Sequence, residues 1–594
     1  MKLRLLAVLA SAAVIDAIAG NALAAGCKLE SVELPVYMEG LQPQLKAAIN
    51  GSEVWFLLDS GAMYSVIAPS AAETLKLPIR GAPQGLEFYA VDGRTEIHVT
   101  KVERFKLGNT ALENIDFIVA GEPVGESVIG LLGQNFLGAS DIEYDLANGS
   151  MRFDYPNDDC KKARLAYWAT SEQVFELKLD LQRTQFLTRI GGVAQINGEK
   201  MRVVFDTGAE LSILTMDAAK RIGLTPDGHD VVPGPPTRGI KGEVAKAWAG
   251  RVRSFSIGGE EISNTRLRFG EIQLADADML IGADFFLAHR MYVARSQGKI
   301  YFTYNGGPVF DLWSSDATTT QPSATAGEEP ATQEHRAQLA SADAYARRGA
   351  AYLARNDFQH AAADFTRATE LEPGAYKYFQ QRGLAKIALG QVPAAVDDFN
   401  EAVRLNPDAI DARMLRARLG LAKNDLSAVE EDLGAVSKIA PDDGNVRLEV
   451  ARMYLALREP APAVPQLNRW IASHGQSPDL HEVLNERCWA RALIGTELEM
   501  ALADCDAALK LKPGSAEYLD SRGLVHLRLG NLDKALADYT AALAIAPKSE
   551  WSLYGRGLAW LRKGDAKAGN ADIDAAKAIS AAIEDEAKGY GLAP

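Results

Sequence analysis

One stretch of this chain occurs twice, and that duplication limits what the chain can fold into. Ile49 to Leu77 reads INGSEVWFLLDSGAMYSVIAPSAAETLKL, and Ile196 to Leu224 reads INGEKMRVVFDTGAELSILTMDAAKRIGL. Asn50-Gly51 falls on Asn197-Gly198, and Asp59-Ser60-Gly61-Ala62 on Asp206-Thr207-Gly208-Ala209, both at an offset of 147. Each copy predicts a hairpin turn at Asn-Gly, an apolar strand ending in an acid, and a tight glycine turn. A second strand and a short helix follow. An aspartate at the tip of an apolar strand is costly to bury unless the site uses it. Two of them in duplicated settings predict one site built from two halves.

The duplication runs on downstream. Leu131-Leu132-Gly133-Gln134-Asn135-Phe136 has its counterpart in Leu280-Ile281-Gly282-Ala283-Asp284-Phe285. Gly149 and Gly298 each lie 16 residues beyond those glycines and precede a predicted strand. Val102 to Gly108 and Val252 to Gly258 share a Val-x-x-Phe-x-Leu/Ile-Gly pattern. These are two copies of one domain.

The residues resemble the retropepsin-like aspartic proteases, whose pattern is Asp-Ser/Thr-Gly-Ala, a glycine-bearing flap, and a later apolar-apolar-Gly turn. Viral members contribute one aspartate per subunit and dimerise. This chain carries both halves, as two-lobed pepsin-like enzymes do. The resemblance implies a mainly-β bilobal fold, with one lobe over residues 30–158 and the other over 172–310. It makes Asp59 and Asp206 the candidate catalytic pair, with Ser60, Gly61, Thr207 and Gly208 supporting their loops and Gly133 and Gly282 in the apolar-Gly turns. Ser60 and Thr207 hydroxyls would tie one loop to the other, and Gly61 and Gly208 would permit the tight turn. Candidate flaps are the segments around Tyr89 to Arg94, with Gly93, and Thr237 to Glu243, with Gly239 and Gly242.

The chemistry implied is peptide hydrolysis. Two aspartates held close together cannot easily both ionise, so they share a proton. The ionised member deprotonates a water that attacks the peptide carbonyl, and the neutral member protonates the carbonyl oxygen. No cofactor or metal is called for, and His98, His229 and His289 have no ligand spacing around them. The alternative is a peptide-binding scaffold without catalysis, using the same cleft.

Lys2 and Arg4, the apolar run Leu5 to Ile15, and Ala22-Leu23-Ala24 form a secretory leader over residues 1–24, so the mature protein is expected to be exported, into a periplasm. A lipid anchor at Cys27 is the rival reading, but Leu23 sits one place too far upstream for it. The four cysteines fall as Cys27 and Cys160, bracketing the first lobe, and Cys488 and Cys505, within one helical hairpin. Both pairs could be disulfides in an oxidising compartment, or all four could be thiols. A net charge of −15 argues against a nucleic-acid partner. No stretch is long and apolar enough to predict a membrane span.

Residues 313–340 turn to Ser, Thr, Ala, Pro, Gln and Glu, which predicts a flexible linker with few contacts across it. Beyond it the period becomes 34: Pro373, Pro407 and Pro441, then Pro513 and Pro547. Small residues and an aromatic precede Pro373, Pro407 and Pro547 at fixed offsets, as in Gly349, Ala361, Phe365 and Ala368, while the third and fourth units are degenerate. This resembles the tetratricopeptide repeat and implies an all-α superhelix of about seven units over residues 342–580. Such an array implies a peptide, protein substrate or protein partner as its ligand.

Overall fold

The computed structural model describes residues 26–82, 88–90, 93–95, 97–121, 128–169, 173–180, 189–238, 244–274, 276–310, 312, 341–442, 444–475, 477 and 479–593. The proposed leader, the interior of the linker, and Gly239 and Gly242 lie outside them. The chain divides into two compact units, residues 1–398 and 399–594.

Local chemistry sets each lobe's first hairpin. Asn50 and Gly51 both have positive φ, 50° and 94°, and so do Asn197 and Gly198, at 53° and 88°. That backbone is what a two-residue hairpin with the right-handed strand twist requires. The first turn joins strands Gln42–Ile49 and Ser52–Leu58, and the second joins Gly191–Ile196 and Glu199–Phe205. Both asparagine side chains then reach a neighbouring strand: Asn50 Oδ1 accepts from Arg104 N (2.9 Å) and Asn197 Oδ1 from Arg253 N (2.8 Å). In Ser52–Leu58, alternate residues Val54, Phe56 and Leu58 point inward. Phe56 packs there against Phe105 and Phe117.

Each lobe is built on a mixed sheet in which the aspartate-bearing strand runs parallel to the later apolar-Gly strand. Ser52–Leu58 pairs with Val128–Leu132, and Glu199–Phe205 with Met279–Ile281. A third, six-stranded sheet draws three strands from each lobe, in the order Leu29–Pro35, Ser150–Pro156, Asp141–Asp145, His289–Ala294, Lys299–Tyr304, Phe175–Lys178. Its central seam joins the lobes, with Ile142 opposite Val293 and Tyr144 opposite Met291. The lobes therefore pair within one chain. Cys27 is bonded to Cys160 beside this sheet. In the second lobe, buried His289 lies between the Phe285 carbonyl (2.8 Å) and the Glu260 carboxylate (3.0 Å).

One expectation fails. The first repeat helix, Ala342–Ala354, packs directly on the lobes instead of standing clear of them. Ala351 is fully buried in the lobes' own core cluster. Asp343 accepts from Tyr37 Oη (3.2 Å), Arg347 donates to the Gly149 carbonyl, and Arg355 donates to the Leu287 carbonyl (3.3 Å). Asn356 Nδ2 donates to the Leu312 carbonyl (2.7 Å), anchoring the chain where it leaves the β region. A polar linker says nothing of the alanine face beyond it, and that face supplies the contact.

The all-α part consists of paired helices. Phe358–Leu371, Leu426–Ile439, Leu498–Leu511 and Leu532–Ile545 are second helices of their pairs, each closing just before a linking segment. Pro373, Pro441, Pro513 and Pro547 follow those four ends, where the missing N–H costs nothing. Where helices touch, small residues face rings: Gly349 meets Phe365, and Gly523 meets Tyr539. An arginine–aspartate pair, at least partly buried, bridges the two helices of most units, as in Arg348–Asp364 (2.7 Å), Arg416–Asp432 (2.6 Å), Arg522–Asp538 (2.8 Å) and Arg556–Asp572 (2.7 Å). Cys488 and Cys505 are bonded across one pair. A last helix, Ile583–Gly589, follows the seventh pair and extends past the expected end of the array.

Candidate active site

Asp59 and Asp206 leave the ends of their strands at the base of the two lobes and face each other. Their backbone N–H groups are spent on the neighbouring apolar-Gly strands, Asp59 N on Leu132 O (3.0 Å) and Asp206 N on Ile281 O (2.8 Å). Each carboxylate is then held by its own loop. Asp59 Oδ1 accepts from Gly61 N (3.0 Å) and Ala62 N (2.7 Å), and Asp206 Oδ1 accepts from Gly208 N (2.9 Å).

The side chains between them lock the two loops together. Thr207 Oγ1 donates to Leu58 O (2.6 Å) and accepts from Ser60 N (3.0 Å). Ser60 Oγ donates to Phe205 O (3.0 Å) and accepts from Thr207 N (3.0 Å). All four bonds cross from one lobe to the other, and both hydroxyls are fully buried. A hydroxyl that donates and accepts at once is what this crossing needs, which accounts for Ser and Thr at these positions.

Gly61 and Gly208 sit in the tight loops that follow the aspartates, and Ala209 N donates to Asp206 O (3.2 Å) across Gly208. Neither has positive φ. A Cβ on Gly208 would lie 2.6 Å from Asp59 Cγ, and one on Gly61 would overlap the Asp206 carboxyl. Each glycine is the space into which the opposite carboxylate fits. Gly133 and Gly282 serve a related purpose, since a Cβ there would lie 2.8 Å from Ala62 O and 2.7 Å from Ala209 O. They let the apolar-Gly strands press against the aspartate loops.

Burial raises both aspartates above the ordinary carboxylate range. For Asp59 the neighbouring Asp206 adds to that, raising it well above. For Asp206 the rise is checked by its hydrogen bond with Asp59, by Gly208 N and Ala209 N, and by Arg189. Two carboxyls so placed oppose each other's ionisation, which favours one proton on the pair.

A supporting layer escaped the sequence reading. Ser65 Oγ accepts from Gly133 N (2.9 Å) and donates to Asn135 Oδ1 (2.8 Å). In the second lobe Ser212 Oγ accepts from Gly282 N (2.9 Å) and donates to Asp284 Oδ1 (2.6 Å). Burial pushes Asp284 up to about 6 against the pull of Ser212, Phe285 N and Arg268. Gln134 Nε2 also donates to Ser60 O (2.6 Å). The signal was present: Ser212 is Ser65 moved by the same offset as the aspartates, and Asn135 and Asp284 each lie two residues past the turn glycine.

Tyr89 and Gly93 lie on a two-stranded hairpin, Phe88–Ala90 with Gly93–Thr95, in which Tyr89 is opposite Arg94. Thr237–Arg238 pairs with Val244–Ala245, so a second hairpin brackets Gly239 and Gly242, which themselves are outside the described residues. Among the described residues no cluster of three or more His, Cys, Asp or Glu could hold a metal ion, and no helix is long and apolar enough to cross a membrane.

Two segments of the chain, residues 45–136 and 193–285, match the family model described as aspartyl protease. Residues 348–420 and 516–549 match models described as tetratricopeptide repeat. The chain therefore joins two aspartyl-protease segments to tetratricopeptide repeats. No curated protein matches it. Solved structures similar to it include YrrB, a TPR protein with an unusual peptide-binding site (18% identity, 33% of this chain and 98% of that one, TM-score 0.29). Another is the C-terminal part of a TPR repeat-containing protein from Cytophaga hutchinsonii (17% identity, 38% of this chain and 90% of that one, TM-score 0.30). A third is a tetratricopeptide repeat protein from Parabacteroides merdae (13% identity, 42% of this chain and 98% of that one, TM-score 0.29).

Proposed function

We propose that the chain is an exported aspartic endopeptidase whose helical repeats hold a protein substrate or partner. The observation that carries this reading is the pair of buried carboxyls, one from each lobe, each filling the space left by the other's glycine. With one proton between them, the ionised aspartate takes a proton from water as its oxygen adds to the peptide carbonyl. The neutral aspartate protonates the carbonyl oxygen. Collapse of the tetrahedral intermediate breaks the C–N bond and gives the leaving amine a proton from the dyad. Loop positions do not drift during this cycle because Ser60 and Thr207 bond both loops into one unit. The hairpins at Tyr89 and beside Gly239 would serve as flaps over a bound peptide.

Support for export comes from the leader pattern at the N-terminus and from the four cysteines, all of them in disulfides. A Cys27 bonded to Cys160 has no thiol left to carry a lipid. The test is incubation of the full chain with a mixed peptide library from acid to neutral pH, with the new termini mapped. Cleavage that follows a bell-shaped pH profile is expected, because only the singly protonated pair works. Absence of cleavage at every pH would remove the enzymatic reading.

A further inference from the structure

Within the unit from residue 399 onward, the first helices of the last three repeats, Leu480–Ile494, Ala516–Arg528 and Glu550–Arg562, together with Tyr539 and Leu592, line a small, partly open cavity. It leaves about 10 Å³ free, room for one water-sized group. Trp489, Asp520, Tyr539, Trp551, Tyr554 and Leu592 line it. Trp489 and Trp551 are partly buried, with rings edge to face at 5.3 Å. Gly555 has no side chain where the Tyr539 ring and hydroxyl sit. The Tyr554 hydroxyl is buried with no hydrogen-bond partner among the described residues.

Asp520 is the charged group of this pocket. Ser552 Oγ donates to it, and no described cation pairs with it. Desolvation, with Glu550 and Glu517 adding to it, holds Asp520 up to about 7. A carboxyl with acids around it, aromatic rings beside it and an unfilled space against it lacks one thing, a positive charge. Aromatic faces stabilise cations, and a carboxylate hydrogen-bonded to an ammonium is stronger than one bonded to a neutral donor. We propose that this pocket takes a primary ammonium, the end of a lysine side chain on the protein chain that the repeats hold. The free space admits an ammonium but not a planar guanidinium, so lysine is selected over arginine. This rests on the reading that the repeats hold a protein, and it adds the chemistry of one contact.

The test uses the full chain titrated with Nα-acetyl-lysine methylamide, followed by calorimetry and tryptophan fluorescence, with the Nε-acetylated compound as the neutral control. Saturable binding of the amine and none of the control is expected. Asp520→Asn should weaken the amine at least tenfold. Trp489→Leu, which keeps an apolar side chain at a partly buried position, should weaken it severalfold and serves if the first variant fails to fold. Equal binding of the control, wild-type affinity in Asp520→Asn, or no saturable response to the amine would overturn the proposal. Short-peptide cleavage, read in parallel, separates this from the dyad: intact cleavage without amine binding overturns the lysine pocket alone, and the reverse overturns the protease reading alone.

Discussion

Replacing Asp284 by asparagine should stabilise the folded lobes at neutral pH and leave them unchanged in acid. Asp284 is 2% exposed and held at about 6 instead of its ordinary 3.8. A carboxyl raised in the folded state binds its proton more tightly there than in the unfolded chain. The folded state is therefore penalised as pH rises from 3.8 through 6, fully so above 6, and not at all below 3.8. A difference of about two pH units is worth roughly 3 kcal/mol. Asparagine removes the charge and has a precedent in the same molecule, since Asn135 accepts from Ser65 N and Ser65 Oγ in the first lobe, both at 2.8 Å. The variant should gain roughly 3 kcal/mol at pH 7, a rise of about 5 °C in the melting temperature. The assay is urea or thermal unfolding of both proteins from pH 3.5 to 7.5, plotted as the difference. A difference that does not change with pH, or one that favours aspartate at pH 7, would refute the reasoning.

Three further outcomes follow from the site and its surroundings. Thr207→Ala strands the buried Leu58 carbonyl and Ser60 N–H and should cost roughly 2–4 kcal/mol in urea unfolding, with Thr207→Ser restoring most of it. Gly208→Ala places a Cβ against Asp59 Cγ and should lower kcat by about 100-fold or more with the fold kept by circular dichroism, because the displaced carboxyl no longer meets its partner. A chain ending at Leu312 should melt several degrees below one ending at Leu405, since it loses Ala351 from the core and the partners of Gly149 O and Leu287 O. The chain ending at Leu405 should keep short-peptide cleavage, and equal melting of the two would show that the first repeat adds nothing to the lobes.

What could be read in advance depended on how local the cause was. Asp59 and Asp206 stood out because duplication repeats the strand, the acid and the glycine at one offset, and the Asn-Gly turns declare themselves through the backbone they require. The repeats were legible for the same reason, as period-34 prolines and small residues. The arginine–aspartate pairs obey that period too, in Arg348, Arg382, Arg416, Arg522 and Arg556, and could have been found with it. The inter-lobe sheet could not, because Ile142 and Val293 meet across about 150 residues with nothing in either strand to name its partner. The docking of Ala342–Ala354 was hidden likewise: its alanines fit a helix–helix contact and a helix–sheet contact equally well. The steric role of Gly61 was not legible, because the obstacle to any larger residue is a carboxyl from the other lobe and nothing local announces it.

The central claim, one site shared by two halves, is tested most directly by hydrolysis of a cleaved peptide with Asp59→Asn, Asp206→Asn and the double variant. Each single change should lower kcat/KM by about 1000-fold or more, and the double variant should be no worse than either, because both acids serve one proton-sharing pair. A single variant that kept most of its activity, or losses that multiplied in the double variant, would contradict it.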